Sequence, residues 1–149
     1  MNTVNYNPVE ILIVEDNPQD AELTIRALKK TNLSNHIMVA EDGEEALDII
    51  FSRGKYELRQ TLKPPKVIFL DLKLQKVSGL EILKEIKTNQ ATKRIPVVVV
   101  TSSCEDPDIK AAYELGANGY VVKPVEFEAF SNSMIQTGIF WLTVNETPS

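Results

Sequence analysis

Five short apolar runs alternate with five segments of helical character, and this alternation constrains the fold of the chain more than any other feature. The runs Val67–Leu70 and Val97–Val100 are continuously apolar, as is typical of strands that are covered on both faces. We therefore predict an α/β domain with a parallel sheet between helices. The predicted strands are Glu10–Val14, His36–Ala40, Val67–Leu70, Ile95–Val100 and Gly119–Pro124.

Helix start signals support the same assignment. Asn17 and Pro18 fit the N-cap and first-turn positions of a helix that runs to about Lys30. Ser78 and Glu81 form the pattern of a capping box at the start of a helix. The other predicted helices are Gly43–Phe51, Asp106–Leu115 and a last one from near Val125 toward Leu142, and a long polar loop is predicted between Phe51 and Pro65.

Composition excludes several classes of protein. A net charge of −5 argues against nucleic-acid binding, which depends on phosphate neutralisation by Lys and Arg. The single cysteine, Cys104, excludes an internal disulfide and a cysteine-based zinc site, and it suits a reducing cytoplasm. No apolar run approaches the roughly 20 residues of a membrane span, and no signal peptide opens the chain. We expect a cytoplasmic protein without membrane contact.

Polar side chains follow four of the five predicted strands, at Glu15–Asp16, Asp71, Thr101 and Lys123. The carboxyl ends of parallel strands meet at one edge, where open α/β sheets bind ligands. Carboxylates crowded there repel one another by about 4 kcal/mol per pair at roughly 4 Å and an effective dielectric near 20. They need a counter-charge, and oxygen ligands without His or Cys indicate a hard cation, Mg²⁺ first.

The same set suits the chemistry of a phosphoryl group. A divalent cation, the Lys123 ammonium and the Thr101 hydroxyl together can neutralise the three oxygens of a phosphoryl group, and Asp71 at the centre is the natural nucleophile. Each residue alone has an ordinary structural interpretation: helix N-terminal charge for Glu15–Asp16, a strand-end hydroxyl for Thr101 and a surface lysine for Lys123. Their occurrence together favours the phosphoryl site.

The segments "VEDN", "LDLKL" with Gly79 eight residues past the aspartate, "VVVVTSS" and "GYVVKP" resemble the receiver domain of two-component response regulators. The resemblance covers residues 9–137, between a loose N-terminal segment, 1–8, and a C-terminal extension, 138–149. It implies a doubly wound five-stranded parallel sheet of order 2-1-3-4-5, a flavodoxin-like (CheY-like) three-layer sandwich.

Carried over by residue, the resemblance implies that Asp71 accepts a phosphoryl group from the phosphohistidine of a sensor histidine kinase. Asp16 would bind Mg²⁺ directly, Glu15 through water, and Lys73 through its backbone carbonyl. Lys73 departs from the family pattern, which usually has an uncharged residue there.

The resemblance also implies a switch. Lys123 would bind the phosphoryl oxygens, with a cis peptide bond to Pro124. Thr101 would be the switch hydroxyl and Tyr120 the aromatic residue that turns inward on activation. Gln75 stands where the family usually has proline.

The C-terminal stretch "MIQTGIFWLTVNETP" resembles the tail of stand-alone receivers associated with bacterial phytochromes, as does the loop Gly54–Pro65. Residues Ile139–Leu142 are apolar on all sides, too wide a surface for one buried face, which indicates an interaction site. In that subfamily this segment is a homodimer interface. A simpler interpretation makes the aromatic and Met side chains the inward stripe of the last helix: Phe127, Phe130, Met134 and Trp141.

The favoured hypothesis is a single-domain response regulator that catalyses its own phosphoryl transfer and hydrolysis without a separate substrate, with a phosphate relay or sink as the alternative role. A haloacid-dehalogenase-like phosphatase is disfavoured because Lys73 occupies the position of its second aspartate. A flavodoxin-like cofactor binder is disfavoured because "EDNPQD" would repel an anion. A non-phosphorylated receiver is disfavoured because the acidic set is complete, and His36 fits a structural role better than that of a phosphocarrier.

Overall fold

The computed structural model describes residues 9–33, 36–61 and 63–147, so the predicted N-terminal segment 1–8 lies outside the described residues. Strands and helices alternate throughout, as predicted. The elements are β1 (Ile11–Val14), α1 (Pro18–Lys29), β2 (Ile37–Ala40), α2 (Gly43–Ile50), β3 (Val67–Leu70), α3 (Gly79–Thr88), β4 (Val97–Thr101), α4 (Asp106–Glu114), β5 (Gly119–Val122) and α5 (Phe127–Ile139).

All five strands are parallel, in the order β2-β1-β3-β4-β5, which confirms the predicted fold class. In the register, Val14 stands level with Leu70 on one side and Ala40 on the other. Backbone hydrogen bonds continue past the strand ends: the Asp71 N–H donates to the Val14 carbonyl at 3.1 Å, and the Lys123 N–H donates to the Thr101 carbonyl at 2.7 Å. The ladder thus brings the strand-end residues to one edge.

Successive side chains of each strand point to opposite faces, and this divides the core into two layers. On one face, Leu12, Ile68 and Val99 pack with residues of α2, α3 and α4. On the other face, Ile13, Phe69 and Val98 pack with residues of α1 and α5. Burial on both faces explains why the central strands are continuously apolar in sequence.

The predicted helix starts are confirmed by their cap hydrogen bonds. The Asn17 side chain accepts from the N–H groups of Gln19 and Asp20, at 2.9 and 3.1 Å, with Pro18 at the first helical position. The Ser78 hydroxyl oxygen accepts from the Glu81 N–H at 3.2 Å. Among the described residues, no helix is both long enough and apolar enough to cross a bilayer.

Three local predictions need correction. The polar segment after α2 contains a 3-10 helix, Gly54–Thr61, rather than a loop alone. The last helix changes at Phe140 into a π-helical turn, Phe140–Val144. Phe127 is half-exposed, so it was wrongly assigned to the inward stripe. It is the first residue of α5 and lies at the N-terminal end of the helix, beyond the core, whereas Phe130 and Met134 are buried against the sheet.

The start of α3 is packed directly on the backbone that carries Asp71. The Gly79 N–H donates to the Leu72 carbonyl at 3.1 Å. A Cβ atom on Gly79 would stand 2.3 Å from the Asp71 carbonyl oxygen and 2.5 Å from the Leu72 Cα. Only glycine permits this approach, and the contact fixes the position of the third strand end.

This contact predicts that Gly79→Ala lowers the free energy of unfolding by about 1–3 kcal/mol, because a methyl group forced against backbone atoms makes the backbone shift. Urea unfolding of the variant measures the effect. Gly119→Ala is the matched control, since its Cβ would meet Val98 only at 3.6 Å, an ordinary contact. Equal losses of stability in the two variants would contradict the prediction.

Candidate functional site

The strand ends bring three carboxylates together. One side-chain oxygen each from Glu15, Asp16 and Asp71 lies within 4.8 Å of the other two. Glu15 and Asp71 are 5% and 8% exposed, whereas Asp16 is only partly buried. Such a cluster is stable only with nearby positive charge, because buried carboxylates otherwise repel one another and lose their hydration.

Lys123 supplies positive charge from the end of β5. Its ammonium donates a short hydrogen bond to the Glu15 carboxylate, and it lies 3.1 Å from the Oδ2 of Asp71 and 3.1 Å from the Oδ2 of Asp20. The Lys123 side chain is 10% exposed. All three protons of a largely buried ammonium therefore have carboxylate acceptors.

Asp20 was missed in the sequence analysis. It lies in the first turn of α1, where an acidic residue is usually explained by the helix dipole. No local signal set it apart, because its partner Lys123 is 103 residues away in the sequence.

The protonation preferences of the three central groups follow from burial and from their mutual contacts. Burial raises the pKa of Glu15 to about 7; the neighbouring Asp71 adds to this increase and Lys123 opposes it. Burial also disfavours the charge on Asp71, yet the hydrogen bond from Glu15 and the charge of Lys123 together hold its pKa below the ordinary value. Burial opposes the charge on Lys123, but Glu15 and Asp71 hold its pKa above the ordinary value. The cluster favours an ionised Asp71 beside a cationic Lys123.

Thr101 contributes a hydroxyl that is buried without a partner. The residue is fully buried, and its Oγ1 makes no hydrogen bond to any residue that the structure describes. A buried hydroxyl without a partner costs about 1–3 kcal/mol and calls for an explanation. Thr101 ends β4, the neighbour of the strand that leads to Asp71, so its hydroxyl suits an acceptor group bound at this edge of the sheet.

Tyr120 connects β5 to the loop that follows Thr101. Its hydroxyl donates to the Ser103 carbonyl at 2.9 Å, and the Ser103 hydroxyl donates to the Oδ2 of Asp108 at 2.5 Å. The ring packs against the core on the side of α3 and α4. Tyr120 is thus already turned toward the core in this structure, and it holds the β4–α4 loop.

The residues after Asp71 differ in what they contribute. The Lys73 N–H donates to the Oδ1 of Asp71 at 3.2 Å, while the Lys73 side chain is exposed. The Gln75 carbonyl accepts from the Gly43 N–H at 3.3 Å, which ties the loop to the start of α2 in the absence of the family's proline.

The predicted cis bond between Lys123 and Pro124 is wrong, since no cis peptide bond occurs in the part of the chain that the structure describes. The trans form is the lower in energy even before proline, by about 0.5–1 kcal/mol. The Lys123 backbone is fixed by its hydrogen bond to Thr101 without that isomer.

The donor set fits a hard divalent cation. The three clustered carboxylates offer oxygen ligands only, and such ligands suit Mg²⁺ or Mn²⁺ rather than zinc. A cavity of about 340 Å³ lies at the other end of the sheet, lined by residues that precede β1, β3 and β4, such as Val9, Pro65 and Ile95. None of the residues that line it belongs to the acidic cluster.

The fold and the site together define a class: a doubly wound α/β domain with an acidic pocket, suited to a hard cation, at the carboxyl ends of its strands. The sequence model of the response regulator receiver domain matches residues 11–134, and the chain belongs to this family. Receiver domains are phosphorelay components that interact with histidine kinases. They are not enzymes with a separate substrate, and the phosphatase alternative is not supported.

Response regulators, two of them described as phytochrome or bacteriophytochrome response regulators, resemble the chain over nearly its full length. Response regulator Rcp1 from Synechocystis is 36% identical over 142 residues, which cover 95% of each chain. The crystal structure of its Mn²⁺-bound form aligns with a TM-score of 0.88 over 95% of this chain and 100% of that one. The phosphorylated cyanobacterial phytochrome response regulator RcpA has a TM-score of 0.88 at 34% identity, covering 96% of this chain and 100% of that chain. The bacteriophytochrome response regulator AtBRR has a TM-score of 0.75 at 45% identity, covering 96% and 98%.

The Tyr120 contact predicts that Tyr120→Phe loosens the β4–α4 loop. Loss of one partly buried hydrogen bond should lower the free energy of opening of the loop by about 1 kcal/mol. Amide exchange of residues 102–105, measured by mass spectrometry, should therefore accelerate several-fold. Tyr113→Phe, at an exposed tyrosine on α4, is the control and should leave exchange unchanged. Unchanged exchange in Tyr120→Phe would show that the hydroxyl does not hold the loop.

Proposed function

We propose that this domain accepts a phosphoryl group on Asp71, with Mg²⁺, from a phytochrome-like histidine kinase. The observation that carries the proposal is the buried Thr101 hydroxyl, which makes no hydrogen bond to a described residue and lies on the strand beside the one that leads to Asp71. A phosphoryl oxygen would supply its acceptor. The similarity to phytochrome response regulators supports the choice of kinase class.

Each residue of the site has a role in the transfer. An Asp71 carboxylate oxygen forms the new bond to phosphorus while the phosphorus–nitrogen bond of the phosphohistidine breaks, and the imidazole leaves with the electron pair. The Lys73 N–H and the Lys123 ammonium, at 3.2 and 3.1 Å from the two Asp71 oxygens, orient the carboxylate. Lys123 and Thr101 would then bind phosphoryl oxygens.

The cation would be held by Asp16 and Asp71 directly, by the Lys73 backbone carbonyl, and by Glu15 through water. Support comes from the clustering of these carboxylates and from the Mn²⁺-bound form of the relative Rcp1. When bound, Mg²⁺ supplies positive charge that offsets the charge of the transferring phosphoryl group. The same groups would serve autodephosphorylation, in which water would attack the phosphorus while its bond to the Asp71 oxygen breaks and the carboxylate is restored.

Transmission would begin at Thr101. Its hydroxyl turning to a phosphoryl oxygen would move the end of β4, and Tyr120 would respond because it holds the loop that follows. A single charge event would thereby bias the position of the β4–α4 loop and the surface around it.

The proposal predicts that beryllofluoride binds the protein with Mg²⁺ and fails to bind Asp71→Asn, because the amide is not a nucleophile for the phosphoryl mimic. Fluorine NMR measures the bound species directly. Glu41→Gln removes a carboxylate just past the end of β2 at the same edge and should leave binding intact. Binding that persists in Asp71→Asn, or without any divalent cation, would refute the site.

We also propose that the C-terminal turn forms a homodimer surface. The apolar segment at the C-terminal turn has one buried side and one exposed side in the structure. Trp141 and Leu142 pack against the core on the α1 and α5 face, whereas Phe140 and Val144 are 44% and 62% exposed. Phe140 is held by an edge-to-face contact with Trp141, with ring centroids 5.0 Å apart, so it presents a fixed aromatic surface.

Phe140→Ser combined with Val144→Ser should therefore shift the protein toward monomer, weakening dimerisation about tenfold or more if these side chains anchor the interface. Sedimentation velocity across micromolar concentrations gives the dissociation constant. Truncation is less suitable, since Trp141 belongs to the core packing. Leu58→Ser, at an equally exposed leucine of the 3-10 helix, is the control. A wild-type protein that stays monomeric at high micromolar concentration would exclude the interface.

A further inference from the structure

We infer that Asp20 is a positioning residue that holds the Lys123 ammonium, so that Glu15 and Asp71 stay available to the divalent cation. The inference rests on the proposed function of the site. It concerns a carboxylate that lies outside the cluster suited to the cation, which contains Glu15, Asp16 and Asp71.

Lys123 and a divalent cation draw on the same two carboxylates. The ammonium contacts Glu15, Asp20 and Asp71, and two of these three acceptors belong to the cation cluster. A lone pair that accepts from Lys123 is less available as a metal ligand, and the ammonium also repels a cation placed beside it. The third acceptor, Asp20, is the one that Lys123 does not share.

The unshared contact matters because Lys123 is largely buried. A buried ammonium must keep a counter-ion, since removing its partners leaves an uncompensated charge at a large energetic cost. When Glu15 and Asp71 turn to a cation, and Asp71 to a phosphoryl group, Asp20 remains as the acceptor for Lys123. Its charge offsets that of the ammonium at the mouth of the site.

The fold holds Asp20 in the position this role requires. Its N–H donates to the Asn17 side chain at 3.1 Å, and its carbonyl accepts from the Thr24 hydroxyl at 2.8 Å. Its side chain is 37% exposed, so the carboxylate keeps part of its hydration while it reaches inward. The N-cap that starts α1 thus also places the acceptor for Lys123.

The test is the Mg²⁺ dissociation constant of Asp20→Asn, measured by titration calorimetry on the full chain. Without the Asp20 charge, the Lys123 ammonium has only Glu15 and Asp71 as counter-ions and competes with Mg²⁺ for them. The affinity for Mg²⁺ should therefore fall about three- to tenfold, the range for a partly exposed charge contact. Asp20→Glu keeps the charge at a position with room for the longer side chain, and it should restore affinity to within about twofold.

Two comparisons separate positioning from a general loss of negative charge. Glu41→Gln makes the same charge change at the same edge, at a residue outside the Lys123 contacts, and should change affinity less than about twofold. In a Lys123→Met background, Asp20→Asn should likewise have less than about twofold effect, because the coupling between the two residues is gone.

Equal losses in Asp20→Asn and Glu41→Gln, or a loss that persists without Lys123, would overturn the inference. Its failure is distinct from failure of the proposed function. Beryllofluoride should still bind Asp20→Asn at saturating Mg²⁺, whereas the phosphoryl site itself would be refuted by binding that persists in Asp71→Asn or without any divalent cation.

Discussion

The balance of charge around the Lys123 ammonium is the interaction on which the rest of the site depends. Three carboxylates, from the end of β1, the first turn of α1 and the end of β3, converge on one largely buried cation. Without that cation, carboxylates as buried as Glu15 and Asp71 would repel each other by several kcal/mol. The ion set also joins the end of β5 to the end of β3 and the start of α1. The same ion pairs therefore neutralise the carboxylates and hold these elements together.

The parts of the fold governed by local pattern were predictable from the sequence. Apolar runs such as Val67–Leu70, rich in β-branched and aromatic residues, favour buried strands, and Asn17–Pro18 begins a helix by a local hydrogen bond and a fixed φ. The strand order is set by which strands pair across the chain, and no local pattern encodes it; the family resemblance supplied it. Phe127 was misplaced because spacing alone does not show where a helix extends beyond the core.

In the site, too, residues that follow from local pattern were predictable, and contacts between residues distant in sequence were not. The strand-end residues could be named because parallel strands share an edge, so that chain position implies proximity. Asp20 could not be ranked above other first-turn carboxylates, since its contact with Lys123 spans 103 residues of sequence. The hydrogen bond from Tyr120 to the Ser103 carbonyl was equally hidden, because a backbone acceptor leaves no trace in residue type.

The packing of Gly79 on the Asp71 backbone has a mechanical consequence. The Asp71 backbone is held on both sides, because Gly79 of α3 packs on its carbonyl and its N–H donates to the Val14 carbonyl. On the proposed function we expect displacement at Thr101, whose hydroxyl has no competing hydrogen bond among the described residues. If the proposed function holds, a charge added at Asp71 would therefore act in one direction, on β4 and the loop that follows it, rather than on the backbone that carries Asp71.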